Sequence, residues 1–185
     1  MIYLLKIAAI LWVVLCHFNT TLPGISLLQT NPDTMTIEYH PIGIFHTDLT
    51  PLTVAPRQGI LQPENKGIIE IYEEYSDALY ELENFEFIIV LYHMHLSGSW
   101  NSIVRPPNST RSFGLFATRS PNRPNPIGFS VIRLDKIENN KLFVSGIDAY
   151  DGTPVLDIKP WIPSIDCPQH KNHNKIEDDL GLGEK

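Results

Sequence analysis

Short hydrophobic runs of strand type alternate along this chain with turns rich in proline, glycine and asparagine. The longest run, FIIVLY within residues 85–95, is unbroken and predicts a central, buried strand. Other β-branched and aromatic runs predict further strands, over 36–46, 67–72, 113–118, 127–137, 141–150 and 155–158. Asn139-Asn140 and Asp151-Gly152 separate the last three runs as tight turns.

One segment favours a helix instead. Ser76 is a suitable N-cap, Asp77 falls in the first turn, and Ala78, Leu79 and Leu82 form an apolar face, which predicts a short helix over 76–82. The chain lacks a G-x-G-x-x-G or P-loop motif and any alternation of strands with helices. Because closing a sheet removes exposed strand edges, we predict an all-β fold, a single closed or nearly closed β-barrel with one short helix.

The two ends of the chain differ in character from its middle. Residues 7–18, IAAILWVVLCHF, are shorter than the about 20 residues of a membrane span, and no clear small-residue cleavage site follows them. We interpret 1–34 as an apolar extension ahead of a natural start at Met35, with a signal peptide or an anchor as alternatives. No stable membrane association is expected unless residues 1–18 are a real anchor. The predicted barrel domain is 35–168, and 169–185 is a polar tail.

Composition points to a cytoplasmic protein with an uneven charge distribution. Cys16 and Cys167 lie near opposite ends, so they form no disulfide framework and fit a reducing compartment. The net charge of −7 argues against a surface that binds polyanions throughout. However, residues 64–86 carry eight acids and one base, whereas 101–134 carry five arginines and no acid. The acid-free stretch is a candidate anion-facing region, the alternative being ordinary solvated arginines.

Three segments are too constrained to be ordinary strands or loops, and the shortest of them, APRQG (55–59), is a weak signal alone. In ATRSPNRPNPIGFS (117–130), three prolines stiffen the backbone that presents Arg119 and Arg123, either to a ligand or simply to solvent. In DAYDGTPVLDIKPW (148–161), Asp148, Asp151 and Asp157 surround a hairpin turn. Such carboxylates accept hydrogen bonds from ribose hydroxyls or amino groups, although aspartates at turns commonly serve only as caps.

Together these segments resemble the TrmO/YaeB-like family of tRNA adenosine methyltransferases. The resemblance is carried by PIGIFH (41–46), APRQG (55–59), VRPP (104–107), GLFATRSPNRPNPIG (114–128) and DAYDGTPVLDIKPW (148–161). The resemblance covers about residues 37–163 and implies a single β-barrel. It further implies S-adenosylmethionine as the methyl donor and tRNA as the partner, methylated on the N6 amino group of threonylcarbamoyl-adenosine beside the anticodon. It also implies a homodimer with the cofactor near the subunit interface.

The resemblance implies a set of cofactor contacts when it is carried over by position. They are Pro56, Arg57, Gln58, His93, Met94, Arg119, Phe129, Asp148, Ala149, Tyr150 and Asp151. Met94 departs from the His-Gln pair that relatives often have at 93–94. Arg105, Arg111 and Arg123 are the predicted nucleic-acid contacts. No catalytic residue is predicted, since methyl transfer from a sulfonium needs positioning rather than a covalent nucleophile.

Other functions remain open from the residues alone. A module that binds S-adenosylmethionine or RNA without turnover would use the same segments. His93-x-His95 and the group Cys167, His170 and His173 offer zinc-type ligands, but their spacing matches no recognised zinc arrangement, so we predict no metal. Trp161 is expected to pack, whereas Trp100 either packs or stacks on a base.

Overall fold

The structure, a computed structural model, describes residues 36–53, 56, 58–107, 109–167 and 179. The chain divides between Glu38 and Tyr39 into two units, and the description below concerns the second. Of the first unit, only residues 36–38 are described, and they are exposed. The predictions for 1–34 and for most of the 169–185 tail lie outside the described residues.

Eight strands are described, and six of them close into a barrel. The strands are β1 (Gly43–Thr47), β2 (Lys66–Ile71), β3 (Phe87–His93), β4 (Ile103–Val104), β5 (Phe113–Gly114), β6 (Ile127–Glu138), β7 (Lys141–Ser145) and β8 (Pro154–Pro160). The barrel order is β1-β2-β7-β6-β3-β8, with every neighbouring pair antiparallel, and β4 pairs with β5 in a separate small sheet. The prediction of a closed β-barrel is confirmed.

The barrel interior is filled by alternate residues of the strands, as the pleat requires. In β3, Ile88, Val90 and Tyr92 are buried inside, while the residues between them are half-buried on the outer face. The Tyr92 ring packs edge-on against Phe45 of β1, with 5.7 Å between ring centroids. The run FIIVLY is central as predicted, because β3 pairs with β6 on one side and β8 on the other.

The short helix predicted near 76–82 is present, but its bounds and its type differ from the prediction. The segment forms two 3-10 helices, Glu73–Leu79 and Leu82–Asn84, interrupted by Glu81 at φ 65°. The Ser76 hydroxyl donates to the carbonyl of Glu73 instead of capping a helix N-terminus. In the described part of the chain, the α-helix is α1, Pro163–Asp166. None of the described helices is long and apolar enough to cross a bilayer.

Several strand boundaries also differ from the prediction. The first strand begins at Gly43 rather than Thr36, because Pro41 lacks the N–H that a ladder needs. The strand predicted over 113–118 ends at Gly114 and continues as a 3-10 turn, Leu115–Ala117. The strand predicted over 141–150 ends at Ser145, because Gly146 at φ 75° turns the chain out of the sheet.

Gly152→Ala is expected to lower the free energy of unfolding by about 1–2 kcal/mol, the cost of left-handed backbone for a residue with a Cβ. Gly152 has φ 75°, and Gly114 has an ordinary φ of −58°. Because an added methyl group meets no atom within 4 Å at either position, Gly114→Ala is a matched control that should change stability little. Urea unfolding measures both, and equal losses would contradict the backbone explanation.

Candidate functional site

Asp148 is the centre of a buried polar cluster that joins four segments of the chain. Its Oδ1 accepts hydrogen bonds from the Ser130 hydroxyl at 2.6 Å and from the Tyr92 hydroxyl at 3.2 Å. Its Oδ2 accepts from the backbone N–H of Gly59 at 3.2 Å. The cluster therefore ties β3, β6 and the segment after β7 to the loop that precedes β2.

Burial controls the protonation of this cluster. It raises the pKa of Asp148 above its usual 3.8, although the hydrogen bonds from Ser130, Tyr92 and Gly59 oppose the rise. Burial, together with the charge of Asp148, also raises the pKa of Tyr92 well above its usual 10. The positive charge of Arg119 lowers the pKa of Tyr92 in part. The raised pKa favours the protonated Tyr92 hydroxyl that donates to Asp148, and the charge of Arg119 reaches the cluster.

Arg119 contacts the loop that precedes β2, next to the residue of that loop that contacts Asp148. Its Nη1 donates to the Oε1 of Gln58, the residue before Gly59. Gly59 is buried, and a Cβ added there would lie only 1.8 Å from the carbonyl oxygen of Gly146. The dipeptide Gln58-Gly59 is thus held between the arginine loop and the Asp148 segment. Arg57 lies outside the described residues, and its neighbour Pro56 is half-buried.

Phe129 points away from this cluster. It is 46% exposed and follows Gly128 and precedes Ser130 in β6, both of which are buried. Because successive residues of a strand face opposite sides, Phe129 lies on the outer face of the barrel, opposite Leu91 of β3. Within one chain, the structure therefore does not bring Phe129 to the side chain of Asp148.

His93 and Met94 lie where β3 ends. His93 is exposed opposite Ile127, while Met94 packs against the core and its N–H donates to the carbonyl of Pro126 at 2.8 Å. His95, predicted to lie in the same strand as His93, falls beyond the end of β3. The chain turns after His93, so that the N–H of His95 donates to the carbonyl of His93 itself.

The rest of the 148–151 stretch has separate partners. Ala149 is buried, and its carbonyl accepts from the Thr47 hydroxyl, while Tyr150 is half-buried. The Oδ1 of Asp151 accepts from the backbone N–H of Thr47 at 3.1 Å. Asp151 also lines an open depression of about 370 Å³ that it shares with His46, Lys66 and Phe143. Asp157 pairs with Lys159 at 2.7 Å, so only Asp148 of the three predicted carboxylates joins the buried cluster.

The three arginines predicted to contact nucleic acid have internal partners. Arg105 donates to the carbonyl of Ser109, and Arg123 to that of Thr118, each at 3.0 Å. Arg111 pairs with Asp179 at 2.8 Å and lies over the Phe113 ring, 4.4 Å from its centroid. The hydrogen bonds of Arg105 and Arg123 lie within their own loops and stabilise them, whereas Arg111 binds a residue near the C-terminus. Trp161, expected to pack, lies edge-on against Phe87 with 5.9 Å between centroids.

Sequence reasoning missed Tyr92, Ser130 and Gly59 as members of the site. Tyr92 ends the apolar run FIIVLY, and that pattern predicts a position in the hydrophobic core instead of a polar role. Ser130 carried a usable signal, because it occupies an inward-facing position of β6 between Gly128 and Ile132, and a polar group there requires a partner. Among the described residues, no group of three or more histidine, cysteine, aspartate or glutamate side chains is arranged to hold a metal ion. His170 and His173 lie outside them.

Asp148→Asn is expected to change how stability depends on pH. Because the pKa of Asp148 is raised in the folded protein, the folded state binds more protons than the unfolded chain from pH 3.8 up to the raised value. The free energy of unfolding of the wild type therefore contains a contribution that falls as pH rises through that window. Asparagine cannot ionise and lacks this contribution. Urea unfolding at several pH values should show the free energy of unfolding of the wild type falling relative to that of Asp148→Asn as pH rises through that window, and then levelling off. A pH-independent difference would contradict the assignment.

Comparison with known proteins adds independent evidence. A family model described as the tRNA-methyltransferase O N-terminal domain matches residues 44–167. An S-adenosyl-L-methionine-binding protein of Archaeoglobus fulgidus is 44% identical over 127 residues, which cover 69% of this chain and 91% of that protein. The mouse tRNA (adenine(37)-N6)-methyltransferase is 36% identical, over 74% of this chain and 34% of its own length.

A solved structure is similar to this chain in fold as well as in sequence. The crystal structure of TrmO from Pseudomonas aeruginosa superimposes with a TM-score of 0.64 at 35% identity, covering 76% of this chain. The chain spans 62% of that TrmO chain and about a third of the mouse protein. On the family match and the coverage of the archaeal relative, the chain belongs to the TrmO family through its tRNA-methyltransferase O N-terminal domain.

Proposed function

We propose that this chain binds S-adenosylmethionine and transfers its methyl group to the N6 amino group of an adenosine in tRNA. The observation that carries the proposal is the convergence of Gln58, Arg119 and Asp148, from three distant segments, on one cluster. Membership of the TrmO family and likeness to proteins named for S-adenosylmethionine binding support it. We further propose that it acts in the cytoplasm.

The described residues fit the chemistry of this cofactor. The exposed guanidinium of Arg119 suits the carboxylate of a methionine moiety, since guanidinium and carboxylate pair as two parallel hydrogen bonds. The exposed ring of Phe129 suits an adenine or a sulfonium. Asp148 already accepts three hydrogen bonds from the protein. We therefore assign Asp148 the role of positioning Gln58-Gly59, with cofactor contacts of this stretch left to Ala149, Tyr150 and Asp151.

The reaction places modest demands on the protein. When bound, S-adenosylmethionine supplies an electrophilic methyl carbon on a sulfonium. The residues of the chain must hold the acceptor nitrogen in line with it, and positioning of this kind lowers barriers by about 7–11 kcal/mol. Pro56 and the Asp148 cluster fix the loop, and the prolines of 117–130 fix Arg119, so little order has to be gained on binding.

A homodimer would bring the two parts of the predicted site together. Phe129 and Ile127 are 46% and 44% exposed on the outer face of β6, next to half-buried Leu91 and Ile89 of β3. An apolar outer face of this kind suits contact with a second subunit. We propose that this face meets a partner copy, so that Phe129 of one subunit lies near the Arg119 loop of the other.

The acceptor that we propose is threonylcarbamoyl-adenosine beside the anticodon. The test supplies S-adenosylmethionine with a labelled methyl group to the purified chain, with tRNA that carries or lacks the threonylcarbamoyl modification. We expect label only in the modified tRNA, on a nucleoside heavier by one methyl group. Label in both tRNAs would remove the requirement for prior modification. Cofactor binding without any transfer would favour the alternative, a binding module without turnover.

A further inference from the structure

Phe116 is an aromatic side chain that the barrel does not use for packing. It is 79% exposed, whereas its neighbour Leu115 is only 3% exposed. The two residues lie in the 3-10 turn Leu115–Ala117, where successive side chains point about 120° apart. Burial of Leu115 therefore forces Phe116 outward.

The turn that carries Phe116 is fixed at both ends. The N–H of Leu115 donates to the carbonyl of Ser102 at 2.9 Å, and the N–H of Thr118 donates to the carbonyl of Leu115 at 3.0 Å. Because the turn is held by its backbone, the ring of Phe116 is presented in a defined direction. An aromatic group ordered in advance loses little entropy when it binds.

A guanidinium accompanies the ring. Arg123 lies over Phe116, with its guanidinium carbon 5.6 Å from the ring centroid, and is itself held by the carbonyls of Thr118 and Ser120. The segment around them, residues 101–134, has five arginines and no aspartate or glutamate. Two of these arginines face carboxylates from elsewhere in the chain, Arg111 at Asp179 and Arg133 at Glu86 and Asp135. Arg123 at the ring and Arg119, three residues away from it, supply the positive charge beside the exposed ring of Phe116, and proteins use this pair of features to bind single-stranded nucleic acid.

We propose that the Phe116 ring, backed by Arg123, stacks on an unpaired tRNA base close to the adenosine that is methylated. The proposal rests on the proposed function, since it places the RNA beside the Arg119 site. Phe116 and Arg119 are three residues apart, so their Cα atoms are at most about 11 Å from each other. A base on Phe116 and an acceptor at the cofactor site can thus belong to one loop of RNA.

Tyr80 offers a matched control. It is another highly exposed aromatic residue, 83% exposed, but lies within residues 64–86, where eight acids accompany one base. Negative charge repels phosphates, so this ring should not meet RNA. Tyr80→Ala and Phe116→Ala remove similar exposed rings from opposite electrostatic surroundings.

The test measures the affinity of each variant for tRNA by filter binding at one fixed salt concentration. We expect Phe116→Ala to bind tRNA roughly 5- to 150-fold more weakly, Phe116→Trp to bind like the wild type, and Tyr80→Ala to be unchanged. The affinity of Phe116→Ala for S-adenosylmethionine, measured by calorimetry, should equal that of the wild type.

Three outcomes would overturn the proposal. The first is wild-type tRNA affinity in Phe116→Ala. The second is a loss of affinity that sedimentation shows to accompany dissociation into monomers, which would make Phe116 a contact with a second copy of the chain. The third is a wild-type protein that binds no tRNA. Methyl transfer by the wild type tests the proposed function separately. Transfer by the wild type together with wild-type tRNA affinity in Phe116→Ala would contradict only the stacking proposal, whereas tRNA binding that depends on Phe116 but gives no transfer would contradict the proposed function.

Discussion

Gly59→Ala is expected to weaken S-adenosylmethionine binding and methyl transfer by about 100-fold, the scale of loss that a misplacement of about 1 Å causes in an active site. The added Cβ would lie 1.8 Å from the carbonyl oxygen of Gly146, whereas real Cβ contacts stay above 3.0 Å. The position of a Cβ is fixed by its own backbone, and the atom that it meets is a backbone carbonyl, so no side-chain rotation relieves the clash. The loop must move, and Gln58 moves with it, away from Arg119.

The same substitution should also reduce stability. Displacing Gly59 separates its buried N–H from the half-buried carboxylate of Asp148, and a buried N–H without a partner costs about 1–3 kcal/mol. Gly114→Ala serves as the control, because a methyl group there meets nothing within 4 Å. Calorimetry for binding and urea unfolding for stability measure the two effects. A Gly59→Ala protein with the cofactor affinity of the wild type would show that this loop does not shape the site.

Arg119→Ala is expected to lower the affinity for S-adenosylmethionine about 10- to 150-fold. This is the effect of losing a hydrogen-bonded partner of a charged group, about 1.5–3 kcal/mol. Because Arg119 is exposed, its removal should leave the free energy of unfolding nearly unchanged. Calorimetric titration of the variant measures the effect.

Two further variants sharpen this test. Arg119→Lys keeps the charge but loses the planar fork, so its affinity should fall between those of the wild type and Arg119→Ala. Arg133→Ala removes an exposed arginine of β6 that lies 3.7 Å from Glu86 and from Asp135, and it should bind the cofactor normally. Equal affinities in Arg119→Ala and the wild type would remove Arg119 from the site.

The barrel was predictable because its strands carry strong local patterns. The apolar run of β3 and the turn residues around Asn139 and Gly152 specify strands and their ends without reference to the rest of the chain. The segment 76–82 was not predictable in this way. Its few apolar residues fit a helix of either kind, and only Leu79 is buried in the folded protein.

The site was predictable only as a set of segments. The motifs around Pro56, Arg119 and Asp148 stood out through their prolines, arginines and aspartates. The contacts between them did not, because the Gly59–Asp148 and Gln58–Arg119 hydrogen bonds join residues 89 and 61 positions apart. Tertiary pairing also decided that Ser130 faces the cluster while its neighbour Phe129 faces outward.

We propose that the loop Gln58-Gly59, held between Arg119 and Asp148, forms the S-adenosylmethionine site. A crystal structure of the protein with S-adenosylmethionine bound tests it most directly. We expect the carboxylate of the cofactor within hydrogen-bonding distance of the Arg119 guanidinium, beside Gln58. Cofactor density in the depression lined by His46, Lys66 and Phe143, with the Arg119 guanidinium left in solvent, would contradict the claim.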